Sequence, residues 1–322
     1  MIYIIEENIN PSTDYYIKPF LENRNLNFVR LNHKELQNFK LQQRAKIFIV
    51  RYLTDNVLKW VKANSSNIET IYYFMDDDLF DLKGLKDLPL RYAFKIFKKA
   101  WRFKNWLTAN TKIFVSNEYL AEKYQKLNPT ILIPYPSYIN INNCNLNPVN
   151  KKPVVFYHAT QSHVKEFLWL KNFLNELKRE EILFEVVVDM KTAKLYRGMK
   201  NLWIVNPMKW MEYIEFSSLK YRHIGLALLF DNPFNRARSY IKFYNIMRSS
   251  SVGIYSDLFP LARLIKEFSA GVLLPMEVGL WKKSVLELAK SEEKRNKIFD
   301  GAKKLLIYLK EEATRQYERI SV

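Results

Sequence analysis

The sequence predicts an α/β protein with two successive domains, and three observations support this prediction. At 322 residues the chain has the length of two domains of average size. Short β-rich runs alternate with helical stretches through both halves, and an Asn- and Pro-rich segment at 137–152 separates the halves. Because 48% of the residues are hydrophobic and 15% are aromatic, the chain can bury a large core, which excludes a disordered protein.

The individual elements follow in order along the chain. The first half holds six β-rich runs, at 2–5, 28–31, 47–50, 71–75, 113–115 and 131–133. The second half holds six more, at 154–157, 184–188, 202–205, 225–230, 252–255 and 271–274, with helices at 164–177, 210–219, 236–248 and a charged helical stretch at 285–318. Short apolar runs that alternate with helices are typical of a parallel sheet covered on both faces. Each half is therefore predicted to be Rossmann-like, with a ligand site at the carboxyl ends of its strands.

Charge and composition narrow the classes of function. The chain has 51 Lys and Arg against 33 Asp and Glu, a net charge of +18, which favours polyanions: nucleic acid, anionic lipid or a substrate with phosphates. A single Cys excludes a disulfide framework, and four scattered His make a structural metal site unexpected. The first residues lack the pattern of a signal peptide, and no apolar stretch approaches the length of a membrane span, so a cytoplasmic protein is expected.

The segment 225–257 has the pattern of a strand, a polar loop and a helix with a basic start. An Asn can cap such a helix, and the N–H groups of a first helical turn attract anions. The polar residues around this turn are Asn232, Asn235, Arg236, Arg238, Ser239 and Lys242. The pattern predicts a phosphate-binding site, and an ordinary solvated helix start with basic residues fits it equally well.

A second polar turn follows the first strand of the second half. The strand ends at His158, and the turn and the helix after it bring Ser162, His163 and Glu166. Imidazole suits the handling of a proton or of a phosphate charge near neutral pH, so this turn is a candidate site. The alternative interpretation is a core His158, a capping Ser162 and a Glu166 that only stabilises the first helical turn.

Three consecutive carboxylates end the fourth β-rich run of the first half: Asp76, Asp77 and Asp78. Clustered carboxylates raise one another's pKa, and at the end of a strand they can serve as a base or a nucleophile. They can also be solvated, with Asp78 as the cap of a helix.

The segment 90–106 combines a basic helix face with an aromatic one: Arg91, Lys95, Lys98, Lys99 and Arg102 against Ala93, Phe94, Phe97, Ala100 and Trp101. This pattern fits a helix on an anionic membrane surface, or a core helix with a basic outer face.

Two motifs of the second half carry a resemblance to a known family. They are P-F-N-x-A-R-S-x-x-K-F at 233–243 and V-G-I-Y-S-D at 252–257. Together with the tandem α/β halves they resemble the GT-B glycosyltransferases, especially bacterial enzymes of surface-polysaccharide (lipopolysaccharide or capsule) assembly. Many retaining members of that group have two Glu eight positions apart, and here the matching positions hold Ala237 and Asn245. Asp76-x-Asp78 also matches the metal-binding D-x-D of GT-A glycosyltransferases, but the tandem halves favour GT-B.

The resemblance implies two Rossmann-like domains facing across a cleft. Residues 1–148 would bind the acceptor, and residues 149–322, with charged C-terminal helices, would bind a nucleotide-sugar donor. The implied donor contacts are His158, Ser162, His163, Asn235, Arg236, Arg238, Ser239 and Lys242. The carboxylates available as base or nucleophile are Asp76, Asp77, Asp78, Glu166 and Asp231.

The implied function is transfer of a sugar to a saccharide or lipid-linked acceptor, without a metal or a cofactor. UDP- and GDP-hexoses are open as donors, and so is a Kdo-like sugar on CMP, because some Kdo transferases lack the glutamate pair. The competing class is a non-enzymatic basic nucleic-acid-binding protein, but the sequence has no RNA- or DNA-binding motif and no specific nucleic acid is expected. Docking through 90–106 would place the protein at the inner face of the cytoplasmic membrane.

Overall fold

The computed structural model describes residues 1–149, 152–160 and 162–322. The chain divides into two compact units: unit 1 is Met1–Ser137, Arg236–Ser239 and Lys310–Val322, and unit 2 is Tyr138–Asn235 and Tyr240–Leu309. The first boundary lies within the Asn- and Pro-rich segment at 137–152, of which residues 150 and 151 are outside the described part. No described helix combines the length and the apolar character that a membrane span requires.

Unit 1 is a six-stranded parallel sheet with helices. Its strands are β1 (Ile2–Glu6), β2 (Phe28–Asn32), β3 (Ala45–Val50), β4 (Ile68–Met75), β5 (Lys112–Val115) and β6 (Thr130–Ile131), in the spatial order β2-β1-β3-β4-β5-β6. Its helices are α1 (Lys18–Asn23), α2 (Asp55–Ala63), α3 (Leu90–Lys99), α4 (Lys104–Asn110) and α5 (Glu118–Lys123). A π-helical turn at Thr13–Ile17 precedes α1. The strand order changes direction at β1, so a ligand crevice is expected at the carboxyl ends of β1 and β3.

The core of unit 1 is aromatic because the central strands are apolar on both faces. Phe48 of β3 stacks on Tyr72 of β4 with 4.6 Å between ring centroids, and Phe114 of β5 packs edge-on against both. Arg24 donates hydrogen bonds to three carbonyl groups near the end of the chain, those of Tyr317, Glu318 and Ile320. These bonds satisfy carbonyls that have no partner within a helix end.

Unit 2 has a second six-stranded parallel sheet. Its strands are β7 (Val154–His158), β8 (Leu183–Val187), β9 (Leu202–Val205), β10 (Ile224–Ala227), β11 (Val252–Ser256) and β12 (Val272–Leu274), in the spatial order β12-β11-β10-β7-β8-β9. Counted from β7, this is the Rossmann order 3-2-1-4-5-6, with the switch point between β7 and β10. Its helices are α6 (Val164–Glu176), α7 (Met190–Ala193), α8 (Trp210–Ser217), α9 (Pro233–Arg236), α10 (Ile241–Arg248), α11 (Ala262–Glu267), α12 (Val278–Lys290) and α13 (Glu292–Arg319), of which Arg236 and the end of α13 from Lys310 belong to unit 1.

Two of the predicted helices are divided. The helix predicted at 236–248 is wrong in its start, because the chain forms the short α9, leaves the helical path at 237–240 and begins α10 at Ile241. The charged stretch 285–318 is split at Ser291, whose hydroxyl accepts a hydrogen bond from the Lys294 N–H at 3.2 Å. A serine in this position caps the helix that follows it, so α13 begins at Glu292.

Candidate active site

The carboxylates after β4 lie at the carboxyl edge of the unit 1 sheet. Asp76 and Asp77 both accept hydrogen bonds from the guanidinium of Arg51, the residue that follows β3, and the Asp77 bond is 2.7 Å long. The hydroxyl of Ser12 donates to the other oxygen of Asp76 at 2.6 Å. These side chains are largely buried, with 16% of Arg51 and 9% of Asp76 exposed. Arg51, Asp76 and Asp77 form what we call the arginine–aspartate cluster.

The backbone of Arg51 is left-handed, with a φ of 62°. This conformation is uncommon for a residue with a side chain and is retained where the surroundings fix it. The Arg51 N–H donates to the Phe74 carbonyl at 2.8 Å, and the Arg51 carbonyl accepts a hydrogen bond from the Tyr73 hydroxyl at 2.7 Å. The strained turn therefore holds the guanidinium in one position beside the two carboxylates.

Asp78 belongs to a separate contact. It is 1% exposed and accepts hydrogen bonds from the Lys123 ammonium at 2.6 Å and from the Tyr124 hydroxyl at 2.5 Å. Lys123 also pairs with Asp81. The three consecutive carboxylates thus divide into two sites with different cations, because successive side chains leave the chain in different directions.

Burial raises the pKa of the Asp76 carboxyl, and the charge of Asp77 acts in the same direction. The Arg51 guanidinium and the Ser12 hydroxyl oppose this shift but do not cancel it. A carboxyl group whose pKa lies above its ordinary value, at the end of a strand, is suited to accept a proton during a reaction.

The segment Arg236–Ser239 belongs to unit 1 and explains why the helix is broken there. Asn117, after β5, donates from its side-chain amide to the Ala237 carbonyl at 2.7 Å. The Tyr16 hydroxyl, from the π-helical turn, bonds the Ser239 hydroxyl at 2.5 Å. Asn117 thus occupies a carbonyl that a continuous helix would bond internally, and Tyr16 holds the Ser239 side chain. Arg238 lies close enough to the hydroxyl of Tyr92, itself a partner of Arg51, to influence its pKa.

The other predicted donor residues, His158, Ser162, His163, Asn235 and Lys242, are in unit 2, and two of them, His163 and Asn235, follow β7 and β10, the strands of the switch point. The Asn235 amide donates to the Glu166 carboxylate at 3.1 Å and to the Phe230 carbonyl at 2.9 Å. His163 lies 3.6 Å from the same Glu166 oxygen. Glu166 and His163 are each 3% exposed, and Asn235 is 5% exposed. Asn235 is therefore brought to His163 and Glu166 from 69 residues away in the sequence.

The loop after β10 adds further polar groups. The Asn232 side chain accepts a hydrogen bond from the Asn235 N–H at 2.8 Å, which caps α9, and Asp231 is exposed. The Lys242 ammonium, in the first turn of α10, lies 4.3 Å from the centre of the Tyr157 ring. Between β7 and α6, the hydroxyls of Thr160 and Ser162 are 3.0 Å apart.

His158 points into a buried network instead of towards the Glu166 group. One ring nitrogen lies 2.8 Å from Glu185 of β8, and the other lies 3.2 Å from the Tyr213 hydroxyl of α8. Glu185 also accepts hydrogen bonds from Arg222, a fully buried arginine that lies 4.3 Å from the centre of the Phe216 ring. His158, Glu185 and Arg222 form what we call the histidine–glutamate–arginine network.

The charges in this network are fixed by burial and by hydrogen bonds. Burial lowers the pKa of His158 to about 4 despite its glutamate neighbour, so the ring is neutral at physiological pH. Burial acts to raise the pKa of Glu185, but hydrogen bonds from His158 and Arg222 outweigh it and hold the pKa at about 2. Both ring nitrogens of His158 already have partners within unit 2. A donor-binding role for His158 stays a prediction.

Sequence reasoning missed Arg51, Glu185 and Arg222. Arg51 had a detectable signal, because it immediately follows a predicted buried strand whose neighbour ends in acidic residues. Glu185 also interrupts an apolar strand run, which indicates a partnered buried charge. In the described part of the chain, no group of three or more His, Cys, Asp or Glu is arranged to hold a metal ion.

Comparison with solved structures shows the fold. HepE from Anabaena, in complex with UDP-glucose, is 11% identical, with 99% of each chain covered and a TM-score of 0.62. Sucrose-phosphate synthase from Thermosynechococcus elongatus is 10% identical, with 99% of this chain and 97% of that chain covered and a TM-score of 0.63. TarM from S. aureus, in complex with fondaparinux, α-GlcNAc-glycerol and UDP, is 10% identical, with 89% of this chain and 57% of TarM covered and a TM-score of 0.60.

These similarities show that the chain has the α/β GT-B fold, so the predicted pair of Rossmann-like domains is confirmed. No protein-family model matches the chain, and no curated protein is similar to it in sequence.

Proposed function

We propose that the protein is a glycosyltransferase that moves a sugar from a nucleotide-sugar donor to a saccharide or lipid-linked acceptor. The observation that carries the proposal is the group of Glu166, His163 and Asn235 at the switch point of a Rossmann-ordered sheet. Ligands of open α/β sheets bind at such points, outside the carboxyl ends of the strands. HepE, with the same fold over 99% of both chains, is in complex with UDP-glucose, which makes a UDP-sugar the first donor to test.

In this proposal unit 2 binds the donor. The Lys242 ammonium and the N-terminal turn of α10 stabilise the negative charge that develops on the leaving phosphate. Asn235 orients the donor. These groups take the place of a metal ion, so the transfer proceeds without one. Arg238 and Ser239, which the sequence also predicts as donor contacts, belong to unit 1, so their part in donor binding stays a prediction.

Unit 1 binds the acceptor in the same proposal. Of the five candidate carboxylates, Asp76 fits the role of base best, because its pKa is raised and two partners fix its position. Glu166 is bonded to Asn235, and Asp78 is bonded to Lys123, which suits both for positioning. Asp76 would take the proton of an acceptor hydroxyl as the new glycosidic bond forms.

The proposed biological process is bacterial surface-polysaccharide assembly, because the sequence motifs at 233–243 and 252–257 resemble those of enzymes in that process. A lipid-linked glycan acceptor would bring the protein to the inner face of the cytoplasmic membrane, with the segment 90–106 as the membrane-facing part.

Thermal unfolding in the presence of CMP, UDP, GDP, ADP or a short oligonucleotide tests the donor site. A nucleotide at a hundred times its dissociation constant should stabilise the protein by about 2.7 kcal/mol. The stabilisation should be lost in Lys242→Met and kept in Lys178→Met, since Lys178 is an exposed lysine just beyond the C-terminal end of α6. UDP as the effective ligand would support a UDP-sugar donor, and CMP would support a Kdo-type donor.

Stabilisation by the oligonucleotide alone would contradict the transferase and favour the nucleic-acid-binding class. A response to nucleotides that is equal in Lys242→Met and in the wild type would contradict the proposed phosphate site.

A further inference from the structure

Helix α3 exposes an apolar stripe to solvent. Leu90 is 88% exposed, Phe94 is 64% exposed and Phe97 is 40% exposed. Their spacing of four and three residues places them on one face of the helix. Trp101, in the turn after α3, stacks on Phe97 with 5.1 Å between ring centroids and extends the stripe by one ring.

The opposite face of α3 attaches the helix to unit 1. Ile96 is fully buried there. Lys95 and Lys99 both pair with the carboxylate of Glu7, which follows β1, and the Lys95 contact is 2.7 Å long. A core helix would bury its aromatic face, but in α3 that face is exposed. Lys95 and Lys99, which a core helix would direct outward, instead pair with Glu7 of unit 1. The stripe is therefore a surface feature of a firmly attached helix.

The stripe lies in a strongly basic stretch of the chain. Residues 82–104 contain eight Lys or Arg and one acidic residue, Asp87. The exposed cations that flank the stripe in sequence are Lys83, Lys86, Arg91, Lys98 and Arg102, of which Arg102 pairs with Asp55. An isolated apolar residue on a surface is ordinary, but adjacent apolar side chains bordered by cations indicate an interaction site.

We propose that the stripe of Leu90, Phe94 and Phe97 docks into the headgroup region of a bilayer that contains anionic lipids. Aromatic and aliphatic side chains enter the boundary between headgroups and acyl chains, and cations near the surface are attracted by anionic lipid. This occupant satisfies both parts of the surface, because nucleic-acid bases would stack on the phenylalanine rings but leave Leu90, the most exposed side chain of the stripe, without an apolar partner. The inference does not depend on the transferase activity.

Sedimentation with lipid vesicles tests the proposal. The full chain should bind vesicles made of equal parts phosphatidylcholine and phosphatidylglycerol, and bind vesicles of phosphatidylcholine alone much more weakly. Raising the salt concentration should weaken binding, since charges at the surface are screened. The double variant Phe94→Ser/Phe97→Ser should lower the partition coefficient by about tenfold or more, because two aromatic rings no longer leave water.

The matched control is Leu219→Ser/Leu258→Ser, which removes two side chains of unit 2 that are each 50% exposed. This control should bind the mixed vesicles like the wild type, and circular dichroism should show both double variants folded. Equal vesicle binding by Phe94→Ser/Phe97→Ser and the wild type would overturn the proposal. The proposal would also be overturned if the wild type did not bind vesicles but self-associated or bound an oligonucleotide, and if Phe94→Ser/Phe97→Ser abolished that association.

Discussion

The two units each bury a group of charged side chains, and the two groups differ in position and in exposure. The arginine–aspartate cluster lies at the carboxyl ends of β3 and β4, where 16% of the Arg51 side chain and 13% of the Asp77 side chain are exposed. The histidine–glutamate–arginine network lies under α8, where the side chains are between 0% and 4% exposed. The first group borders solvent, and the second is enclosed by aromatic rings.

The difference indicates that the two groups have different functions. In the unit 2 network, Glu185 is held ionised, His158 is held neutral, and Arg222 is fixed by both its carboxylate partner and the Phe216 carbonyl at 3.0 Å. Such a network stabilises one arrangement of α8 on the sheet. In the unit 1 cluster, a carboxyl with a raised pKa lies beside a strained turn, and both features are typical of active sites.

The largest expected effect is on turnover. Asp76→Asn should lower the rate of sugar transfer by about 100- to 10,000-fold, because the amide cannot accept the acceptor proton. Glu185→Gln replaces a carboxylate that is still more deeply buried and should keep the rate while it lowers the stability. Transfer assays and urea unfolding on both variants distinguish the groups. Wild-type turnover in Asp76→Asn would show that the unit 1 cluster is structural.

The next effect is on stability. Arg222→Met should destabilise the protein by about 3–5 kcal/mol, because Glu185 stays buried without its cation. Adding Glu185→Leu should restore much of the loss, since an apolar pair in place of a buried ion pair is often close to neutral. Urea unfolding gives both values. A loss below about 1 kcal/mol in the single variant would mean that solvent reaches Glu185 and that the network is not enclosed.

The third effect is on the pH dependence of stability. The pKa of His158 is about 4 in the folded protein against 6.5 for the ordinary value, so the unfolded chain binds more protons between these pH values. Stability contributed by the neutral ring is present above pH 6.5 and falls as the pH drops to 4, by about 3 kcal/mol. Glu185 contributes its own loss only below its ordinary pKa of 4.5.

His158→Gln should flatten this dependence while the wild type shows it. The measurement is the free energy of unfolding in urea across the interval from pH 6.5 to 4. Parallel curves for the two proteins would contradict a neutral, enclosed His158.

The smallest expected effect comes from removing a single hydroxyl group, that of Ser12, from the arginine–aspartate cluster. Ser12→Ala removes the hydrogen bond that favours the charged form of Asp76, so the pKa of Asp76 should rise further and the acid limb of the pH–rate profile should move upward. The stability should fall by about 1–2 kcal/mol. The control is Ser256→Ala, which removes a buried hydroxyl bonded to the Leu229 carbonyl at 2.9 Å and should leave the acid limb in place. An unmoved acid limb in Ser12→Ala would exclude Asp76 as the titrating base.

The strands and the carboxyl-end location of the Asp residues could be predicted from the sequence, because apolar runs and the residues that follow them are local features. The partners of those residues could not, since Arg51 meets Asp76 only after β3 and β4 pair. The break at 237–240 could not be predicted either, because the side chains that contact this segment, Asn117 and Tyr16, are far away in the sequence. The exposure of Phe94 and Phe97 was equally open, since a helical wheel shows two faces but not which of them unit 1 covers.

The proposed donor site is tested most directly by hydrogen–deuterium exchange on the full chain with and without the nucleotide that stabilises it. A donor site at the β7–β10 switch point predicts slower exchange in the segment from Asn232 to Lys242 and in the segment from His158 to Glu166, with α3 unchanged. Protection elsewhere, with exchange in these two segments unaltered, would contradict a donor site at the β7–β10 switch point.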